Sequence, residues 1–482
     1  MKYIIGLDEG TTSARSVLFD VKAKKIITTS NHKFKQYFPK PGWVEQDPKE
    51  ILDAQFASLK EVLNGINPKD VIGIGITNQR ETVVAWDKTT GEPVYNAIVW
   101  QCRRTSKRIE RLSSHLKRVV KNRTGLIPDA YFSASKMEWI LNNVPKAKAL
   151  AKDGNLCFGN INTYLAYIMT GEFVTDTTNA SRTMLFNINT LEWDPVLLKL
   201  FKIPKNTLPE VVSCDHIVGK CKDFFDIPLC AMIGDQQSSL FGQSCVTEGS
   251  SKTTYGTGSF TLVNTGDKIV NENKLLSTIA YTIGGKTKYA IEGSVYSACS
   301  AIEWLKSDLK LFDSYDEIDD LACKLQSNDG VYFVPAFTGL GAPYWNSNAK
   351  TAIIGLTYGC DKSHIARSIL ESMAYNTRDI LERLKGIKIH ELKVDGGGTK
   401  NKFLTQYLAD ITGKNVLLGL SSEATAMGAI YMAGIATKTF TITDIKNMYK
   451  IKEEFSPKMD EKLANEYYKK WKKTVNLSLK GN

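Results

Sequence analysis

The sequence predicts an α/β protein built as two halves of similar design, and three observations carry that reading. Near the N-terminus, Tyr3-Ile4-Ile5-Gly6-Leu7 and Ser16-Val17-Leu18-Phe19 are strand-like and flank the turn-rich Asp8-Glu9-Gly10-Thr11-Thr12-Ser13. Midway, Thr253-Thr254-Tyr255, Gly256-Thr257-Gly258 and Ser259-Phe260-Thr261-Leu262-Val263 repeat the order strand, Gly/Thr turn, strand. Each hairpin has a later companion. Val71-Ile72-Gly73-Ile74-Gly75-Ile76 is a buried-strand candidate in the first half, and Val394-Asp395 runs into a triple glycine and a helix in the second. The similarity is one of pattern, not a strict sequence repeat. The junction falls near residues 245–252, giving halves 1–248 and 249–482.

The elements between these anchors follow from spacing. Residues 49–64 read as an amphipathic helix through Ile51, Phe56, Leu59 and Leu63. Thr82-Val83-Val84-Ala85-Trp86 reads as a strand after the polar Thr77–Glu81 segment. Residues 101–123 hold nine Lys and Arg against one acid, which reads as a solvated helix. Pro204, Pro209 and Pro228 mark 203–230 as loops ahead of a new unit. After Gly396-Gly397-Gly398, the residues Phe403, Leu404, Tyr407, Leu408 and Ile411 share one helix face.

Composition narrows the function. A chain of 482 residues with 43% apolar and 23% charged residues can bury two or more cores, so disordered and fibrous classes are excluded. The longest apolar candidate, Ala424 to Thr437, is short of a membrane span and holds two glycines. The N-terminal apolar run is too short for a signal peptide. Nine cysteines without a C-x-x-C pair, and five scattered histidines, argue for reduced thiols in a reducing, cytoplasmic compartment and against a zinc site. The net charge of +11 suggests an anionic partner, but no nucleic-acid motif or basic-aromatic ladder accompanies it.

Several constellations carry chemistry. A Gly/Thr turn between buried strands can point successive N–H groups and hydroxyls into an anion site, though ordinary hairpins favour the same residues. Asp8 sits at its mouth, where a carboxylate can orient hydrated Mg²⁺, and Arg15 can face phosphate oxygens. Two such turns across a cleft can grip a nucleoside triphosphate without a P-loop. A true P-loop is missing, because Gly285-Lys286-Thr287 has Ala280 where its first glycine belongs, and no G-x-G-x-x-G occurs. The triple glycine admits either a close ligand or a plain strand-to-helix turn. Asp235, after the apolar run ending at Gly234, either caps a helix from Gln236 or accepts a hydroxyl proton in phosphoryl transfer. Arg80 and Glu81 can bind two adjacent hydroxyls of a small polyol. Trp100 and Tyr131 offer flat apolar walls or belong to the core.

At these residues the chain resembles the FGGY carbohydrate kinase family, in its glycerol-phosphorylating branch. The resemblance runs from Gly6 to Trp471-Lys472-Lys473. It rests on Gly75–Thr82 continuing to Asn96–Arg104, on Tyr131–Asn143 and Ala352–Glu371, and on Phe337–Trp345. It implies two ribonuclease H-like domains of the actin/hexokinase/Hsp70 type with the active-site cleft between them. It implies ATP, Mg²⁺ and glycerol, with Asp235 as catalytic base. Arg80, Glu81, Tyr131, Asp235 and Gln236 would bind glycerol, with Trp100 and Phe260 packing on it. Thr11, Thr12, Ser13, Arg15, Thr257, Gly397 and Asn401 would line the nucleotide site, with Asp8 near Mg²⁺. Relatives suggest a homodimer. Glu9 stands where Gln is usual, adding negative charge near the phosphates, Cys299 where Gly is common, and Glu303 where a Gln contacts nucleotide. The stretch Gly219–Phe225 lacks the glycines of the family's fructose 1,6-bisphosphate loop, so that regulation is not expected. The rival readings are an FGGY kinase of a larger polyol and an actin-like ATPase.

Overall fold

The computed structural model describes residues 1–480. Its first half carries a six-stranded sheet. The strands are β1 (Tyr3–Glu9), β2 (Ser13–Asp20), β3 (Lys25–Lys33), β4 (Val71–Asn78), β5 (Gly219–Cys221) and β6 (Ile227–Gly234), in the order β5-β6-β4-β1-β2-β3. The second half carries a seven-stranded sheet. Its strands are β7 (Ser251–Tyr255), β8 (Ser259–Gly266), β9 (Leu276–Ile283), β10 (Lys286–Val295), β11 (Glu391–Asp395), β12 (Asn415–Gly419) and β13 (Ile451–Phe455), in the order β9-β10-β8-β7-β11-β12-β13. From β3 to β5 the successive pairings are antiparallel, antiparallel, parallel, parallel, antiparallel. From β10 to β13 the series is the same. The repeat seen as a pattern in the sequence is therefore a repeat of topology, with β9 added at one edge.

Parallel neighbours need crossover connections, and helices supply them. Between β3 and β4 runs α1 (Pro48–Leu63), capped by Asp47, whose side chain accepts from the Lys49 N–H, with Pro48 in the first turn. It turns Ile51, Leu59 and Leu63 into the core. Directly after β6 comes α2 (Asp235–Gly242), and at the equivalent point after β12 comes α6 (Ala424–Ala436). In the second half, α3 (Cys299–Ser307) follows β10, α4 (Lys362–Leu381) and α5 (Lys402–Thr412) flank β11, and α7 (Glu461–Lys480) ends the described chain.

The halves meet through α2 and α6. Helix α6 lies on β1, β4 and β6 of the first sheet, while α2 touches β7, β8 and β9 of the second. The apolar stretch from Ala424 is thus buried between halves, which explains why it lacks a polar face. The two helices touch backbone to backbone. A Cβ on Gly242 would sit 2.0 Å from the Ala424 carbonyl oxygen, and one on Gly428 2.0 Å from that of Ser238. Glycine is required at both places because any side chain would drive the helices apart.

Three local expectations change. The strand after Glu81 is Val84–Asp87, and it pairs with Leu156–Gly159 rather than joining the main sheet. Residues 203–230 do not precede a new unit, because β5 and β6 complete the first sheet. The basic run splits into helices Ser106–Glu110 and Ser114–Thr124, and it is not simply a solvated face. Arg104 is buried, 2.6 Å from Glu45, with its guanidinium against the rings of Trp43 and Trp139. Arg108 pairs with Glu138 and Arg123 with Asp194. Planar guanidinium groups can bridge carboxylates and rings at once, so a dense basic run can be internal. The nine cysteines are all unpaired.

Gly428→Ala tests the helix crossing. Helix propensity alone would favour alanine by about 1 kcal/mol. The contact with Ser238 should reverse the sign and lower stability by about 2 kcal/mol. The expected result is a melting temperature below that of the parent protein; an increase would refute the crossing.

Candidate active site

Four buried charges form the floor of the cleft. Arg80 follows β4 and donates to both carboxylate oxygens of Glu292 on β10, at 2.7 and 3.0 Å. Arg182 donates from Nε to Glu81 at 2.6 Å and from Nη2 to Glu292 at 3.1 Å. Ser294 Oγ adds a bond to Glu292. All four side chains are at most 2% exposed. Two cations and two anions make a neutral set, the condition under which buried charges are tolerated. Burial alone would raise the Glu292 carboxyl, but Arg182 and Arg80 outweigh it and bring it down to about 2. Burial would also depress Arg80, yet Glu292 and Glu81 hold it well above the usual arginine value. For Glu81 burial wins over Arg80 and Arg182, so its carboxyl is raised. Glu81 also has a positive φ of 64°, an uncommon backbone conformation for a residue with a side chain.

Asp235 stands at the edge of this set, as the first residue of α2. It is partly open to the cleft, with 28% of its side chain exposed. Its Oδ1 lies 3.0 Å from Arg80 Nε and accepts the Gln236 N–H at 2.7 Å. Its Oδ2 has one long bond, 3.3 Å from Gln236 Nε2. The Arg80 Nε–H is buried and makes no aligned hydrogen bond. An unmatched buried donor beside a half-free carboxylate can receive a polar ligand that both donates and accepts. Aromatic rings border it. Tyr131 is buried with its hydroxyl 3.5 Å from Arg80 Nη2, and Trp100 meets it edge-on at 5.6 Å. Phe260 on β8 packs against the apolar cluster that α2 and α6 share.

The two Gly/Thr turns lie in opposite halves, between β1 and β2 and between β7 and β8. Trp100 Nε1 donates to Thr11 Oγ1 at 3.0 Å, which ties the first turn to the aromatic wall. Thr12 and Thr257 are exposed and Ser13 half-buried. Gly396, with a φ of 89°, brings the chain against Tyr255, while the space beside Gly397 is open. Asn401 caps α5 through its side-chain oxygen, 2.7 Å from the Leu404 nitrogen, and its Nδ2 is buried without a partner. That spare donor beside an open glycine fits a nucleotide. Arg15 pairs at 2.5 Å with Glu423, at the start of α6, so its guanidinium already spans the halves. Asp8 is pushed up to about 7 by burial, against the pull of Arg15 and with the neighbouring Glu423 and Asp235 adding to it. Acids held close enough to raise one another fit a divalent cation shared with phosphates. No group of three or more His, Cys, Asp or Glu among the described residues is arranged to cage a metal. Mg²⁺ held mainly by phosphates needs no such cage.

Glu9 is completely buried, accepts from Gln79 Nε2 at 3.3 Å, and leaves Oε2 unpartnered. Burial raises its carboxyl well above the ordinary range, against the Gln79 hydrogen bond and with Asp8 and Asp235 adding to it. The sequence reading missed Arg182, Glu292, Glu423 and Lys252. Their shared signal is a lone charge in an apolar or hydroxyl-rich run, as in Tyr289-Ala290-Ile291-Glu292-Gly293.

A duplicated ribonuclease H-like unit with paired Gly/Thr hairpins facing a cleft acid defines a two-lobed phosphotransferase. The chain belongs to the FGGY family of carbohydrate kinases: its N-terminal domain model matches residues 3–242 and its C-terminal domain model residues 251–437. Among similar proteins, a glycerol kinase of Thermococcus onnurineus is 47% identical over 99% of this chain and 98% of its own length. Glycerol kinase 2 of Sulfolobus acidocaldarius is 48% identical over 99% of this chain and 98% of its own length. The crystal structure of Plasmodium falciparum glycerol kinase with ADP superposes with a TM-score of 0.93, at 38% identity over 99% of this chain and 98% of that one.

Glu292→Gln tests the buried set. Removing the anion leaves Arg80 and Arg182 undercompensated, and stability should fall by about 3 kcal/mol in chemical denaturation. The native carboxyl titrates near 2 and the unfolded one near 4.5. Its stabilisation is therefore complete above pH 4.5 and lost as pH falls toward 2. The acid slope of stability in that window should be shallower in the variant than in the parent.

Proposed function

We propose that the chain catalyses MgATP-dependent phosphorylation of glycerol to sn-glycerol 3-phosphate, with Asp235 as general base. The observation that carries this reading is the Asp235 carboxylate, half-free at Oδ2, beside the unmatched Nε–H of Arg80. Arg80 and Glu81 take two hydroxyls of glycerol and aim the third at Asp235. Gln236 adds a polar contact, and Trp100, Tyr131 and Phe260 wall the carbon backbone. Asp235 Oδ2 accepts the terminal hydroxyl proton as that oxygen attacks the γ-phosphorus of ATP, whose bond to the β,γ-bridging oxygen breaks to release ADP.

Thr11, Thr12, Ser13, Arg15, Thr257, Gly397 and Asn401 hold the nucleotide, which draws Arg15 away from or alongside Glu423. Asp8 would help to hold Mg²⁺, which when bound would supply neutralisation of the charge that develops during transfer. A cavity of about 1240 Å³ is bordered by Trp100, Thr257, Ser300 and Trp304. We assign residues 1–248 to the glycerol-binding half and 249–482 to the nucleotide-binding half. The unpaired thiols support a cytoplasmic setting, and a homodimer is the assembly to seek by light scattering.

ATP turnover with and without glycerol, with the product identified, tests the reaction; turnover that ignores glycerol, or prefers a larger polyol, refutes it. Asp235→Asn should fold normally and lose kcat by about a thousandfold. An unchanged kcat would remove Asp235 from the role of base. For Glu81→Ala the glycerol KM should rise at least tenfold, and a KM that stays put would sink that contact.

A further inference from the structure

Lys252 on β7 is fully buried, yet no carboxylate lies within ion-pair distance of it among the described residues. Its ammonium makes two hydrogen bonds, to Gln236 Oε1 at 2.6 Å and to Thr254 Oγ1 at 2.7 Å. An ammonium has three donors and is costly to bury, so a lysine kept here for packing alone would be better replaced by methionine. The bond to Gln236 has a specific consequence. Lys252 can only donate, so it fixes the carboxamide with Oε1 toward itself. The Nε2 amide of Gln236 must then face Asp235 Oδ2, at 3.3 Å. With the amide reversed, two oxygens would oppose each other and the Asp235 carboxylate would turn. A residue of the second half thus sets the posture of a residue at the start of α2.

We propose that Lys252 is a positioning residue for the phosphoryl transfer, acting through Gln236 to hold the Asp235 carboxylate with Oδ2 free for the substrate proton. The inference rests on Asp235 being the base. The charges around Lys252 suit the role. Asp235 on α2, Asp395 on β11 and Glu292 on β10 favour the ammonium, Arg80 opposes it, and the nearby Cys245 thiol is pushed up to about 11 and carries no charge. Asp395 is held by Ser239 Oγ at 2.8 Å through one oxygen, and its other oxygen is buried without a partner. Burial, countered in part by Asp395 and Asp235, lowers Lys252 to about 8. The ammonium is therefore present below pH 8 and lost as pH rises through that value.

The test is a double-mutant cycle of Lys252→Met and Gln236→Leu with kcat and both KM values measured, beside a pH profile of kcat. Each single change should lower kcat by about tenfold or more, and the double variant should be no worse than about threefold below the poorer single. The parent kcat should fall above pH 8, and that limb should vanish in Lys252→Met. Lys252→Arg keeps the charge and should recover activity at high pH relative to Lys252→Met. Multiplying losses in the cycle overturn the proposal, as does a raised ATP KM with kcat unchanged, which marks a direct phosphate contact. If Lys252→Met does not fold, an alkaline limb missing from the parent enzyme still overturns it. A parent enzyme that ignores glycerol would instead overturn the functional reading itself.

Discussion

The crossing of α2 and α6 is the constraint on which the rest of the molecule depends. Each helix leaves the end of its own sheet and lies against the other half. At the contact, glycines let carbonyl oxygens occupy the space that side chains would need. Such close approach fixes the relative height of the two helices to within a fraction of a turn. Their starting ends are then brought to the same cleft, and each delivers a carboxylate there. Asp235 opens α2 beside Arg80, and Glu423 precedes α6 and takes Arg15. The functional groups are thus set by backbone packing rather than by loops, the more exact way to hold a site.

The buried set beneath the cleft adds a second kind of constraint. Arg80 and Arg182 belong to the first half and Glu292 to the second, so buried ion pairs also run between halves. Neutral overall, the set is affordable inside protein, but it is not complete. The Nε–H of Arg80 makes no aligned hydrogen bond, and neither does one nitrogen of Arg182. Unmet hydrogen-bonding capacity is expensive in a core and useful in a site, because a polyol can supply what the chain withholds.

Much of this was legible from sequence, for reasons that can be stated. The Gly/Thr hairpins at 8–13 and 256–258 are local, and their turn chemistry survives without tertiary help. Asp235 after an apolar strand and Arg80-Glu81 at a strand end were visible because a charge at the boundary of a buried element is unusual. Helix α1 was legible to within a residue through its apolar spacing. Arg182 and Glu292 were not, since their meaning lies in partners some hundred residues away. The basic run misled because nine cations in a row resemble a wet surface until the rings of Trp43 and Trp139 are known to enclose one of them.

The exchange of α2 and α6 has a bearing on how the chain folds. The first sheet is covered on one face by a helix that lies some two hundred residues further on, with buried residues along most of its length and no polar side. A fragment ending at the junction near residue 248 would leave that face bare. The halves that look like two modules in sequence are then one cooperative unit, which cannot finish its first core until its second is nearly made. Any ancestral single copy would have met the same difficulty, and a pair of identical copies lending each other that helix is the arrangement that resolves it.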